Sequence, residues 1–265
     1  MNYYLTGDCH GDFSRFYDFT KDIDPKNCCF ICLGDFCANY YLNKTDYKNK
    51  KRLNSLGSQF YIIRGNHEQR PSLIPTIQWA YDKQVSGIVG TEPEFPNIHY
   101  FKDDVNEYII NEYKCLIVPG AFSVDGEYRR QRTLSNGWCG WWENEQLTQE
   151  EMDAGFALAA NKSYDFILSH TCPISIGPTD LFLSVVNQKE VDKTMENYLE
   201  KIKENTSFKC LCFGHYHSDR LERPNAQMFF QEVESMDDIF ARVTQPVTAP
   251  DYKHIKSPNY YMEDN

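Results

Sequence analysis

The sequence predicts an α/β protein, and three observations carry that prediction. Residues 28–33 and 59–63 are apolar runs without alternation, as expected of strands covered on both faces. Between the strand-like runs lie segments of helical periodicity or lysine-rich polar composition, a strand–helix–strand rhythm that implies a sheet with right-handed crossovers. Finally, glycine-bounded turns bearing Asp, Asn and His stand where several strands end. With 265 residues, 41% of them hydrophobic, the chain can bury a full core as one domain with a small cap.

Residues 2–6 form a short β-rich entry. Phe13, Phe16, Tyr17 and Ile23 then recur at near-helical spacing and predict a helix of about three turns, with Asp12 and Ser14 as capping residues. After the strand at 28–33, residues 43–56 read as a polar surface helix, and 59–63 as the third buried strand. Pro71 and Pro75 interrupt a mixed segment. Residues 98–101, 105–110 and 114–118 read as strands joined by tight turns, bringing in antiparallel pairing. Residues 119–145 are the least regular part, holding Tyr128, Arg129, Arg130, Gln131 and Arg132 on an irregular loop beside Trp138, Trp141 and Trp142. A helix is expected over 145–160, a buried strand over 165–168, a charged solvent-facing helix over 188–204 and a core strand over 208–213. Two more strands, at 228–233 and 240–243, are expected to finish the sheet. The domain then spans residues 1–245, with 119–145 as cap or rim and 246–265 as a polar, Pro-containing tail.

Charge and cysteine usage narrow the function classes. Acidic residues outnumber basic ones by 38 to 27, a net charge of −11, which disfavours unaided binding to nucleic acid or anionic membrane. No apolar run reaches the length of a membrane span and no charged-then-apolar leader follows Met1, so the expected setting is cytoplasmic. Six of the ten cysteines lie in strand-like runs, where a reduced thiol packs as a small core residue. Cys29 and Cys32 have redox or zinc spacing, but no second pair stands at zinc-finger spacing, and core packing is the expectation. Cys9 and Cys172 sit beside candidate ligands, where oxidation would bear on activity.

The chemistry gathers in five turns: Gly7-Asp8-Cys9-His10-Gly11, Gly34-Asp35, Arg64-Gly65-Asn66-His67-Glu68, Ser169-His170 and Gly214-His215-Tyr216-His217. Five of the seven histidines fall in them. Asp8 and His10, like His215 and His217, stand two apart, so an extended segment would point both side chains to one side. In open α/β sheets, ligands bind beyond the carboxyl ends of the strands, where these turns lie. Asp35, alone in its turn, is the candidate carboxylate to bridge two cations. Asp8, His10 and His217 complete one metal, and Asn66, His170 and His215 the other. Two metals about 3.5–4 Å apart clamp phosphate oxygens and lower the pKa of a bridging water to make hydroxide. Mixed imidazole, carboxylate and amide ligands suit Mn, Fe, Zn, Co or Ni, divalent or trivalent, better than Ca. His67 is left to protonate the leaving group, with Asp35 and Arg64 completing the catalytic set, and Arg64 meets phosphate oxygens with its bidentate fork.

These five ordered blocks, spanning residues 7 to 217, resemble the calcineurin-like metallophosphoesterases. The resemblance implies a four-layer α/β/β/α sandwich with mixed sheets, two metals with manganese foremost, the ligand roles above, and His67 as the catalytic imidazole. Arg64-Gly65-Asn66-His67-Glu68 is similar to the serine/threonine protein phosphatase branch. That branch, however, follows Gly-Asp with a further Asp and an Arg-Gly, where this chain has Phe36-Cys37-Ala38-Asn39-Tyr40. The departure favours a bacterial or phage-type member with its own substrate.

The leading expectation is therefore a phosphomonoesterase acting on phosphoprotein or small phosphoesters. A phosphodiesterase or nuclease on the same metals is the alternative, and a non-catalytic binding scaffold the remote one. Arg64 and Asn66, with Arg129, Arg130 and Arg132 on the rim, are the candidate substrate-binding residues.

Overall fold

All five residues of Cys28–Cys32 are apolar and buried, so this strand demands cover on both faces and sits inside a sheet. In the computed structural model, which describes residues 1–136 and 140–244, it is the second strand (β2), flanked in parallel by Asn2–Thr6 (β1) and Gln59–Ile62 (β3). Gln78–Asp82 (β4) and Gly87–Thr91 (β5) form an antiparallel hairpin that joins Ile98–Tyr100 (β6), itself parallel to β3. A second sheet holds Asn106–Ile110 (β7), Tyr113–Val118 (β8), Ser163–Ser169 (β9), Ser207–Phe213 (β10), Arg220–Arg223 (β11) and Ala226–Met228 (β12). Its order is β11-β12-β10-β9-β8-β7, with β8, β9, β10 and β12 parallel and an antiparallel strand at each edge. Val233–Ser235 (β13) returns to pair antiparallel with β1 and completes the first sheet as β13-β1-β2-β3-β6-β5-β4.

Among the described residues, six α-helices accompany these sheets: Ser14–Thr20 (α1), Lys44–Asn54 (α2), Gly126–Asn136 (α3), Gln149–Ala159 (α4), Thr194–Asn205 (α5) and Met236–Thr244 (α6). Three apolar layers follow from the strand alternation. Ile31, Leu33, Tyr61 and Ile63 meet Cys115, Ile117, Phe166, Leu168 and Cys212 between the sheets. On the outer face of the first sheet, Phe30, Phe60 and Ile62 pack with Phe16 of α1 and Leu53 of α2. On the outer face of the second, Leu116, Ile167, Leu211 and Phe213 pack with Met152 of α4 and Met195, Leu199 and Ile202 of α5. The result is the expected α/β/β/α sandwich of two mixed sheets. Cys29 and Cys32, three apart on one strand, face opposite layers, and the nine described cysteines are free thiols.

Several elements differ from expectation. The first helix is seven residues, not three turns, because Asp22 and Asp24 place acid at the carbonyl end and Pro25 follows; Asp12 does accept the Ser14 N–H at 3.0 Å. Strands β6 and β7 are consecutive but lie in different sheets, so they do not pair. The hairpin β4–β5 was not anticipated, because β4 is exposed along most of its length and carries no core pattern. The supposed strand over 240–243 is helix α6, whose inward residues 236, 239, 240 and 243 have helical spacing. The strand expected over 228–233 is two short strands, separated by a turn in which Asp219 accepts the N–H groups of Phe230, Gln231 and Glu232 at 2.6, 2.9 and 3.1 Å. Helix α4 starts at Gln149 behind a Thr148–Glu151 capping box, and α5 starts at Thr194 with an inward apolar stripe rather than a wholly solvated surface. The arginine-rich run 128–132 is part of helix α3, not an irregular loop. Trp138 and the tail 246–265 lie outside the described residues.

Candidate metal centre

The parallel strands of both sheets end at one site. The turns after β1, β2 and β3 bring Asp8, His10, Asp35, Asn66 and His67 from the first sheet. Those after β9 and β10 bring His170, His215 and His217 from the second. Asp8, His10 and His217 form one group whose donor atoms lie within 4.8 Å of one another; His10, Asp35 and His67 form a second, and Asp8, Asp35 and His170 a third. Asp8 and Asp35 thus each belong to two groups. The glycines make room for this convergence. A Cβ on Gly34, at φ +103°, would fall 1.9 Å from His170 Nδ1, and one on Gly65 would fall 2.0 Å from Asp35 Oδ1.

The mode of convergence differs from the expected one. His10, Asp35, His215 and His217 have φ of 47°, 45°, 73° and 52°. They occupy the left-handed region rather than an extended one, so the two-residue spacing acts through tight turns.

Donor chemistry in the first group fits a cation. Asp8 Oδ1 accepts the His215 N–H at 2.9 Å, while Oδ2 is buried without a hydrogen-bond partner. That oxygen lies 3.2 Å from His217 Nε2 and 3.6 Å from His10 Nε2, and the two imidazole nitrogens are 2.8 Å apart. The second set repeats the pattern. His170 Nδ1 donates to the Leu33 carbonyl at 2.8 Å, which turns Nε2 toward Asn66 Oδ1 at 2.8 Å and Asp35 Oδ2 at 3.4 Å. The His215 ring stands 5.0 Å from that of His170. In both places lone pairs face lone pairs, and only a proton or a metal ion between them makes the contact favourable.

The electrostatics say the same. Burial alone would raise both buried carboxylates, but the imidazoles of His10 and His217 beside it hold Asp8 well below the usual range, and the charges of His170 and His67 do the same for Asp35. Burial would lower His170, yet the Asp35 charge outweighs it and lifts the imidazole to about 9. Burial and the neighbouring His170 push His215 down to about 3. Burial, with Arg129 and the neighbouring imidazoles, also pushes His67 well down against the pull of Asp35. Glu68, raised to about 7 by burial and by Asp35, has its Oε1 3.3 Å from the Gly65 N–H.

The arginines are arranged otherwise than expected. Arg64 is 1% exposed; Nη1 donates to the carbonyls of Gly65 and Glu145, and Nε lies 3.7 Å from Asp103. Among the described residues, only Nη1 is hydrogen-bonded inside the protein; Nε and Nη2 are buried without a hydrogen-bond partner. Arg129 is also buried, donating to the Gly140 carbonyl at 2.9 Å, to Asp125 at 3.0 Å and to Ser123 Oγ. Arg130 is exposed and pairs with Glu127 on its own helix at 3.3 Å, and Arg132 lies over the Tyr128 ring. Of the three rim arginines, then, Arg129 is the one whose charge bears on His67. The flanking thiols differ: Cys172 is buried and pushed up to about 12, whereas Cys9 is buried but lowered against its burial by the Cys32 thiol and the Arg15 charge, with its Sγ 3.9 Å from that of Cys32.

Three supporting residues were missed by sequence reasoning. Arg15 of α1 donates to the carbonyls of Asp8 at 2.6 Å and of Phe230, tying down the first ligand turn. Ser123 and Glu145 hold Asn66 and Arg129 from the loop after β8. Their signal was topological: β8 is a parallel strand beside β9, so its following loop must reach the same end of the sandwich. Beginning at Gln69, an open groove of about 620 Å³ is lined by Trp141, Trp142, Glu143, Asn144 and Gln146.

The family model of the calcineurin-like phosphoesterases matches residues 1–219. Among solved structures, the crystal structure of phosphopantetheinyl hydrolase from Mycobacterium tuberculosis is similar at 11% identity and a TM-score of 0.43, over 94% of this chain and 98% of that one. No curated protein matches the chain. Among the described residues, no helix is long and apolar enough to cross a membrane.

Proposed function

The chain belongs to the calcineurin-like phosphoesterase family, and from that premise we propose that it is a phosphomonoesterase with two metal ions, manganese foremost, acting on phosphoprotein or small phosphoesters. The observation that carries this reading is the set of donor groups sharing Asp8 and Asp35, with an orphaned buried oxygen on Asp8. Asp8, His10 and His217 would hold one ion, and Asn66, His170 and His215 the other, with Asp35 between them. When bound, the pair would supply Lewis acidity to the phosphate and lower the pKa of water.

The chain's own residues would do the rest. The turn after β3 orients Asn66 and His67 together, and Asp35 fixes that turn by accepting the His67 N–H at 2.8 Å. His67 would stand at the leaving-group oxygen as the proton donor, drawn to its charged form when a dianionic phosphate enters. Arg129, its nitrogens held by Asp125, Gly140 and Ser123, would act on the phosphate through its charge beside His67 rather than as a fork.

A diesterase reading has one observation in its favour, the groove from Gln69 to Trp141 and Trp142, which offers room for a second arm on the phosphate. Metal-stripped protein, re-supplied separately with Mn, Zn, Ni and Mg, decides between them on p-nitrophenyl phosphate and bis-p-nitrophenyl phosphate. The expected result is monoesterase activity that depends on metal and vanishes in Asp35→Asn together with both bound metals. Preferential hydrolysis of the diester would transfer the assignment, and two fully occupied metals in Asp35→Asn would end the bridging role of that carboxylate.

A further inference from the structure

The Asn66 side chain can face the centre with either end of its amide, and only the oxygen end can ligate a cation. Its Nδ2 donates to Ser123 Oγ at 2.7 Å, and its Oδ1 lies 2.8 Å from His170 Nε2. Ser123 Oγ in turn lies 2.6 Å from Glu145 Oε2 and accepts from Arg129 Nη2. Glu145 Oε1 accepts the Ser123 backbone N–H at 2.8 Å, so the carboxylate grips the residue at two points. Asn66, Ser123, Arg129 and Glu145 are all buried.

A serine hydroxyl has one proton to give and two lone pairs to receive. The carboxylate of Glu145 takes the proton. Arg129 has no acceptor, so it must fill one lone pair. The remaining lone pair accepts only a donor, which requires the NH2 end of Asn66. We propose that Ser123, charged by Glu145 and Arg129 with a single free acceptor site, is a positioning residue that locks the Asn66 amide oxygen toward the metal centre. This rests on the reading of Asn66 as a metal ligand. A flipped amide would set Oδ1 against a hydroxyl with no proton left to offer, leaving that oxygen unsatisfied in a buried place. The lock therefore acts before any metal arrives and makes the site pre-formed.

The test is a titration of metal-stripped, full-length protein with Mn²⁺ by isothermal calorimetry, with circular dichroism to verify the fold. Ser123→Ala should weaken one of two Mn²⁺ ions by about 10–100-fold while sparing the other. Glu145→Gln is nearly isosteric and should do the same to the same ion. Its amide can donate to Ser123, freeing the hydroxyl proton to donate to the oxygen of a flipped Asn66. In an Asn66→Asp background both ends of the side chain are oxygens, so adding Ser123→Ala should cost less than about twofold. Unchanged Mn²⁺ affinities in folded Ser123→Ala or Glu145→Gln would overturn the lock. So would an undiminished loss in the Asn66→Asp background, which would mark a general structural effect. Wild-type protein that binds no Mn²⁺ would instead overturn the metal-centre reading from which the lock follows.

Discussion

Two buried arginines with the same chemistry have different expected roles, set by what each touches. Arg64 Nη1 donates to the carbonyls of Gly65 and Glu145, so Arg64→Ala removes a strut. The expected cost is about 2–4 kcal/mol in chemical denaturation, since two buried carbonyls lose a partner and a cavity opens. The inhibition constant of inorganic phosphate for the folded fraction should stay the same. Arg129 lies close enough to His67 for its charge to depress it, so Arg129→Gln, which removes the charge, should weaken phosphate inhibition by about tenfold. Arg130→Ala with Arg132→Ala should leave it unchanged, because Arg130 is exposed and both side chains are engaged on their own helix. A phosphate constant that shifts in Arg64→Ala but not in Arg129→Gln would reverse the two roles. The convergence of the candidate ligands was legible in sequence, because Asp, Asn and His beside glycines at strand ends have few structural reasons to be there together. What could not be read was the backbone: four candidate ligands take positive φ, and no propensity announces a left-handed histidine. Nor could a sequence show that Arg64 would be swallowed by the loop after β8.

Strands were easier to read than helices, for a physical reason. A central strand such as β2 must be apolar on both faces, whereas α6 has a sequence of Met, Ile, Phe and Val that also satisfies a strand. Periodicity over nine residues separates the two only when the neighbouring turn at Asp219 is known. Helix α2, expected from its polar composition, carries a consequence that composition does not show. Asp46, in its first turn, is buried; one carboxylate oxygen accepts the Leu42 N–H at 2.7 Å and the other has no hydrogen-bond partner. Burial raises its pKa from 3.8 to about 6, against the pull of the Leu42 N–H and Lys50. Between these values the folded protein holds a proton that the unfolded chain has lost. The Asp46 contribution is therefore greatest below about pH 4, declines as pH rises to about 6, and is constant beyond. Asp46→Asn keeps the acceptor for Leu42 without the charge. Relative to wild type it should gain stability across that window, by about 1–2 kcal/mol at pH 7 once solvent screening is allowed for. Denaturant midpoints at pH 4 and pH 7 check this; a difference between the two proteins that does not change with pH would refute it.

At the scale of the whole molecule, the site is where two sheets with separate outer layers are joined. Asp8, His10, Asp35 and Asn66 come from the first sheet, and His170, His215 and His217 from the second. A cation held by both groups would cross-link the sandwich at the ends of its parallel strands. Any ligand that binds only the folded state stabilises it by about 2.7 kcal/mol at one hundred times its dissociation constant. For a chain of this size that is about 5–10 °C in melting temperature. The gain should also depend on pH in a particular direction. Without metal, His170 is lifted to about 9, so the folded protein binds a proton more tightly than the unfolded chain, whose imidazole titrates near 6.5. That contribution to stability is fully present below pH 6.5 and is lost as pH rises through about 9. A metal on Nε2 displaces this proton, so the proton competes strongly at pH 6.5 and progressively less as pH rises toward about 9. Melting temperatures of stripped and Mn²⁺-loaded protein at pH 6.0 and pH 8.5 should therefore differ more at the higher pH. The stripped form should account for most of that change by melting lower there. An increment equal at both pH values, or larger at pH 6.0, would mean that the imidazole on the second sheet does not exchange its proton for the cation, and that the ends of the two sheets are joined by hydrogen bonds alone.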